Sequence, residues 1–273
     1  MASMTCNYYS YTLHQNITIN IVIPTPEGNE QITNEKILKQ YRYEEGLPVV
    51  YLLHGAYGNF SSWLRSSNVE RYAQKHCCAL VMASAENSFY QDMKHGNAYS
   101  TFFTKELPAF IKSIFPISVK REDTFIAGFS MGGYGAWYLA LSNPNIYAKA
   151  ASMSGALDIA KTYEESMTGT ISAPFLWKDI FEDPAKLTGS QADLFKLYAD
   201  CLLTGIIPDL YQSCGTEDFL YEMNRSVKDR LEQKGATFVY QESEGGHNWD
   251  YWDKDILCIL NWMFAKDINP KSK

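Results

Sequence analysis

One serine, one histidine and one carboxylate are the residues of this chain best placed to do chemistry together. Ser130 lies in Gly128-Phe129-Ser130-Met131-Gly132-Gly133. The apolar run before it, Thr124-Phe125-Ile126-Ala127, reads as a buried strand, and Tyr134-Gly135-Ala136-Trp137-Tyr138-Leu139-Ala140-Leu141 after it reads as a helix. A serine at a tight strand-to-helix turn takes a strained backbone, and glycines two before and two after leave room for that turn. The hydroxyl then stands above the sheet edge with helix amides beside it. Without that context the same letters would be a Gly-rich turn whose serine only caps the next helix.

The order of the other two groups separates these readings. Asp218 lies in Gly215-Thr216-Glu217-Asp218, just after the apolar stretch that ends at Ser213. His247 lies in Gly245-Gly246-His247-Asn248-Trp249, after the strand-like run Ala236-Thr237-Phe238-Val239-Tyr240. Serine, then acid, then histidine is the order of α/β-hydrolases, not of chymotrypsin-like or subtilisin-like proteases. An imidazole titrating near neutrality can take the serine proton, and a carboxylate fixes the ring tautomer and steadies the imidazolium that forms. His14 and His76 precede or sit apart from the expected loop, His54 belongs to another motif and His95 comes before the nucleophile, so all four fit the base role poorly. Glu217 stands next to Asp218 and could face the same way.

Acyl transfer also needs donors for a tetrahedral oxyanion. The apolar strand Pro48-Val49-Val50-Tyr51-Leu52-Leu53 runs into His54-Gly55-Ala56-Tyr57-Gly58. In a hydrolase of this type one donor amide follows the nucleophile, here Met131, and the other comes from the loop after an early strand, here Ala56.

These groups need a scaffold, and the chain alternates as a doubly wound sheet should. Residues 8–23 read as antiparallel edge strands with Asn16 near the turn. Strands follow at 48–53, 79–83, 124–127, 148–153, 207–213 and 236–241, and helices around 69–76, 99–115, 219–233 and 249–264. The inner strands are near-continuous apolar runs, as expected when both sheet faces are covered. Between Asp158 and Thr204 no strand is signalled, yet Tyr163, Phe175, Trp177, Phe181, Phe195 and Tyr198 fall there. These aromatics can pack into a small core of their own or the segment can cap the serine, and both can hold for different residues. Residues 84–97, with Phe89, Tyr90 and Asp92, offer a second wall.

Taken together, Leu52-Leu53-His54-Gly55, Ala127 through Ala136, Ser154-Gly155-Ala156-Leu157-Asp158 and Gly246-His247-Asn248-Trp249 resemble the esterase D-like branch of the α/β-hydrolases. Within it the chain is most similar to bacterial tributyrin esterases; feruloyl and acetylxylan esterases, S-formylglutathione hydrolases and mycolyl transferases are more distant. The likeness runs from about Tyr8 to about Met263. It implies an α/β-hydrolase fold with a small helical cap, carboxylesterase activity on short acyl chains, no cofactor, and frequent homo-oligomers. It assigns Ser130, Asp218 and His247 to catalysis and the Ala56 and Met131 amides to the oxyanion. Tyr57, Phe175, Trp177 and Trp249 are the candidate substrate contacts. Many relatives carry a bulkier residue where this chain has Ala56, which bears on the shape of the acyl site and not on a backbone donor.

Composition agrees with one catalytic domain spanning 1–273, with 158–204 as a cap insert. The 273 residues can bury one large core, and 46% apolar with 20% charged residues is ordinary for a globular protein. A net charge of −7 without Lys/Arg clusters argues against a nucleic-acid partner. Cys6, Cys77, Cys78, Cys201, Cys214 and Cys258 form no metal-ligand or CxxC spacing, and buried reduced thiols suit a reducing compartment. The sequence shows neither a signal-peptide pattern nor a span of 18 apolar residues, so a cytoplasmic, membrane-free enzyme is expected. The expected reaction is hydrolysis of a small-molecule ester. S-formylglutathione hydrolysis and a binding module that has lost catalysis are the alternatives.

Overall fold

The structure, a computed structural model, describes residues 1–26, 39, 41, 44–171 and 175–265. Of the expected cap, residues 172–174 lie outside the described residues. Eight strands among the described residues form one sheet: β1 (Ala2–Ser10), β2 (Gln15–Ile23), β3 (Val49–Leu53), β4 (Ala79–Ala83), β5 (Thr124–Phe129), β6 (Lys149–Met153), β7 (Asp209–Gly215) and β8 (Val239–Ser243). Their spatial order is β1-β2-β4-β3-β5-β6-β7-β8. β2 pairs antiparallel with both β1 and β4, and every other pairing is parallel. This is the α/β-hydrolase arrangement expected above.

Strict alternation in the inner strands feeds two cores. Val49, Tyr51 and Leu53 of β3 face one, with Val81 and Ile126; Val50 and Leu52 face the other, with Leu80 and Phe125. The first core is closed by the helices Leu107–Ile114, Met131–Ser142 and Leu194–Thr204, the second by Val69–His76 and Trp249–Met263. The five residues of β3 and of β4 are buried throughout, which explains why they read as unbroken apolar runs.

Several boundaries differ from expectation, each for a local reason. The hairpin turns at Tyr11–His14, not at Asn16, because β1 begins at Ala2 and uses its full length in register with β2. Pro108 removes an amide from the helix expected over 99–115, and the ladder widens to a π-helical turn at Phe102–Glu106 just before it. Glu106, buried in that turn, accepts from Ser10 Oγ (3.0 Å) and the Thr12 amide (2.8 Å), so it anchors the hairpin. β7 begins at Asp209, after Pro208, which has no N–H to give a ladder. β8 begins at Val239, since Gly235 at φ 79° ends the preceding helix and residues 236–238 carry the chain back to the sheet.

A second buried carboxylate also lies outside the candidate site. Asp255, on the closing helix Trp249–Met263, is 7% exposed and accepts from Ser213 Oγ and, at 3.4 Å, from Tyr211 Oη. Burial pushes its carboxyl up from 3.8 to about 6. The folded state therefore holds this proton more tightly than the unfolded chain does. The associated stability is present below about pH 4 and lost as pH rises through about 6, a difference on the order of 3 kcal/mol. Asp255→Asn removes the titration, so its stability relative to the wild type should rise between pH 4 and 6 and then level off. Denaturant midpoints across that range check this; a difference that does not vary with pH would contradict it.

Candidate active site

Ser130 sits between β5 and the helix Met131–Ser142 with φ 56° and ψ −123°. A non-glycine residue there costs on the order of 1–3 kcal/mol and persists only where its surroundings over-determine it. Its amide donates to the Met153 carbonyl at 2.9 Å, and its carbonyl accepts from the Gly133 and Tyr134 amides at 2.9 and 3.2 Å. Close backbone packing does the rest. A Cβ on Gly128 would lie 2.2 Å from the Gly132 carbonyl oxygen, and one on Gly132 would lie 2.6 Å from those of Leu53 and His54. The first turn of the helix thus presses on the end of β3. The loop after β3 comes so close that a Cβ on Gly55 would meet Ser130 Cβ at 3.1 Å.

The other two groups come from the loops after β7 and β8. These loops are laced together: the Thr216 amide donates to Ser243 (2.9 Å) and the Glu217 amide to Gly245 (3.0 Å). Asp218 is turned inward, with Oδ1 accepting from the Leu220 amide at 2.8 Å, while Glu217 is exposed. The choice left open between the two carboxylates therefore has a geometric answer, since only Asp218 meets the imidazole. His247 Nδ1 lies 3.0 and 2.9 Å from Asp218 Oδ1 and Oδ2, and Nε2 lies 2.9 Å from Ser130 Oγ. With Nδ1 donating to the carboxylate, Nε2 is left to accept the serine proton. Asn248 starts the closing helix by accepting from the Tyr251 amide at 3.2 Å, which fixes the loop just after the imidazole.

Met131 is the first residue of its helix, where an amide has no intrahelical acceptor. Neither its amide nor that of Ala56 is engaged in the turn and loop hydrogen bonds of the described residues. The Ala56 loop is held by His54, which the sequence reading gave no role. Buried, its ring accepts from the Ala85 amide at Nε2 (2.9 Å) and donates from Nδ1 to the Gly55 carbonyl (2.7 Å). Burial pushes this imidazole down to about 4, so it stays neutral in both contacts. Tyr90 Oη donates to the His54 carbonyl at 2.9 Å. Tyr57 follows at φ 63° with its amide on Asn87 Oδ1 (2.9 Å).

A cavity of about 470 Å³ opens over these groups, lined by Ala56, Ser130, Met131 and His247 together with Tyr57, Phe89, Phe129, Ile171, Phe175, Phe219, Trp249 and Trp252. Among the described residues no Lys, Arg, Asp or Glu side chain lines it. Of the expected substrate contacts, Tyr57, Phe175 and Trp249 are on its wall. Trp177 is not. It is turned into the core against Tyr163 (5.3 Å), Phe181 (5.8 Å) and Phe175 (5.4 Å), and it stacks behind Phe89 at 5.3 Å. Phe89 alone of the expected second wall reaches the cavity, because Tyr90 props His54 and Asp92 accepts from the Thr101 amide (2.8 Å). Sequence reasoning missed Trp252 and Phe219. Trp252 could have been found as the i+3 partner of Trp249 on one helix face; Phe219 carries no signal beyond standing next to Asp218.

The family model described as "Putative esterase" matches residues 10–263 of this chain. The acetyl esterase of Caldicellulosiruptor saccharolyticus is 34% identical over 267 residues, covering 96% of this chain and 98% of that one. Among solved structures, the fluorophosphonate-binding serine hydrolase FphF of Staphylococcus aureus, with substrate bound, is 26% identical with a TM-score of 0.81, covering 97% and 99% of the two chains. An S-formylglutathione hydrolase of Staphylococcus aureus is 27% identical at a TM-score of 0.81, covering 96% and 98%.

Two outcomes follow from this geometry. Asp218→Asn presents the wrong partner to Nδ1 and should lower ester turnover by up to ~10⁴-fold, whereas Glu217→Gln should be mild; the reverse ranking in kcat would contradict the arrangement. Trp177→Ala should cost about 3–5 kcal/mol of stability with little change in acyl preference, whereas Phe175→Ala should change acyl preference at smaller cost. Unfolding curves and rates on an acyl series separate them, and a Trp177→Ala enzyme with altered preference but intact stability would contradict the buried placement.

Proposed function

The chain belongs to the esterase family and is a carboxylic ester hydrolase, and we propose that it is a serine esterase acting through Ser130, His247 and Asp218 on short-chain acyl esters. The observation that carries the reading is the unbroken hydrogen-bond chain from Ser130 Oγ through the imidazole to Asp218, each link at 3.0 Å or less. Ser130 attacks the ester carbonyl as His247 Nε2 takes its proton, and the Ala56 and Met131 amides hold the oxyanion. His247 then protonates the leaving alcohol. A water activated by the same imidazole deacylates Ser130, and Asp218 orients the ring throughout.

We read the whole chain as a single catalytic domain in which 158–204 forms the cap. Ile171 and Phe175 support that reading, since both reach the cavity. The absence of charged side chains from its described wall favours a neutral ester over a glutathione thioester, whose carboxylates would seek cations. The ring of aromatic side chains gives one specific ground for a second reading, an aromatic acyl group of the cinnamoyl type. The six free thiols suit a reducing setting, so we place the enzyme in the cytoplasm.

Ser130→Ala should lower ester hydrolysis by roughly 10⁴-fold or more with the fold intact. Near-wild-type turnover in that variant would remove the assignment. In a series of esters from acetyl to laurate, with a feruloyl ester included, kcat/KM should peak between about two and six carbons and then fall, because a methylene that does not fit overpacks a closed site. A continued rise beyond eight carbons would mean an open groove, and a feruloyl optimum would favour the aromatic reading.

A further inference from the structure

Phe219 is an exposed aromatic with no part in the core, yet it stands beside the imidazole. It is 63% exposed, on the same turn that directs Asp218 inward. Its ring centroid lies 4.5 Å from that of His247 at a tilt of 47°. Trp252 meets the same imidazole edge-on at 5.0 Å and 86°. Trp252 is itself fixed: it is 6% exposed, its Nε1–H donates to Ser154 Oγ at 3.1 Å, and it stacks on Phe129 at 4.3 Å. The imidazole is therefore held by a rigid ring from the interior and by a solvent-facing ring from outside.

An exposed phenyl ring gains little from burial where it stands, so packing does not account for its position. Its contact with the imidazole does two things. It limits rotation of a ring whose polar restraints, among the described residues, are the Asp218 and Ser130 contacts, and it excludes water from the solvent side of the His247–Asp218 hydrogen bond. In a less aqueous environment that bond is stronger, since water no longer competes for its donor and acceptor.

We infer that Phe219 is a positioning residue for the reaction, a shield that keeps the His247 imidazole aligned between Asp218 and Ser130. The inference rests on the reading of these three groups as the catalytic set. The shield acts on the imidazole and not on substrate selection, although the ring also borders the cavity.

The test measures steady-state rates on an acetyl ester and the proton NMR resonance of the His247 Nδ1–H in the wild type, Phe219→Ala, Phe219→Leu and Ser130→Ala. Phe219→Ala should lower kcat by roughly 10-fold with KM nearly unchanged, less than the ~10²-fold that a displacement of about 1 Å can cost. Its Nδ1 proton should broaden through faster exchange with water. Phe219→Leu keeps apolar cover and should recover most of both. Unchanged kcat and exchange in Phe219→Ala, a change confined to KM, or a Phe219→Leu as impaired as Phe219→Ala would each overturn the role. Retained turnover in Ser130→Ala would instead remove the catalytic set on which it rests, so the two failures are distinguishable.

Discussion

The contact on which the site depends is between backbones, at the place where the first turn of the helix Met131–Ser142 meets the end of β3. With Gly128 and Gly132 lacking side chains, the helix start and the strand end pack without a Cβ between them. That approach holds Ser130 in its left-handed conformation. It also sets the distance between the Met131 amide and the loop carrying Ala56. A side chain at either glycine would force the helix off the strand and move the Ser130 hydroxyl and the Met131 and Ala56 amides apart together. The positions of Asp218 and His247 follow from the parallel pairing of β7 and β8, whose following loops lie over the same edge.

The fold was largely legible in the sequence because parallel strands buried on both faces leave an unmistakable trace. Val49–Leu53 and Ala79–Ala83 could hardly be read otherwise. Apart from the hairpin turn, the misplaced boundaries lie where an amide is missing or a glycine turns the chain, as at Pro108, Pro208 and Gly235, and there apolar pattern carries no information. Ser130 and His247 were legible from glycine spacing and chain order. The choice of Asp218 over Glu217 needed a turn geometry in which one carboxylate folds back on the Leu220 amide. Trp177 was misplaced for a related reason, since aromatic composition does not say which way a ring points. It lies behind Phe175, one layer from the cavity. The role of His54 was not legible, because both of its partners are backbone groups.

The cavity sets its own limits on chemistry. Its described wall is mostly apolar and carries no charged side chain, which leaves shape and the few polar groups around Ser130, not ion pairing, to fix the proposed ester. Such a wall keeps bulk water from the hydrogen bonds of the imidazole, which is where Trp252 and Phe219 stand. In the proposed reaction it leaves acyl size as the main basis of discrimination. The layer of Phe89, Phe175 and Trp177 is packed ring on ring, and a stiff wall of that kind resists expansion better than aliphatic side chains would.

In the proposed reaction one serine, made nucleophilic by one imidazole, carries the chemistry. Reaction of the intact protein with a fluorophosphonate, followed by mass spectrometry of the digested chain, tests this. A single adduct on Ser130, formed at stoichiometry in the wild type and strongly slowed in His247→Ala, is the predicted result. A stable adduct on a different serine, or labelling of Ser130 at an unchanged rate in His247→Ala, would contradict it.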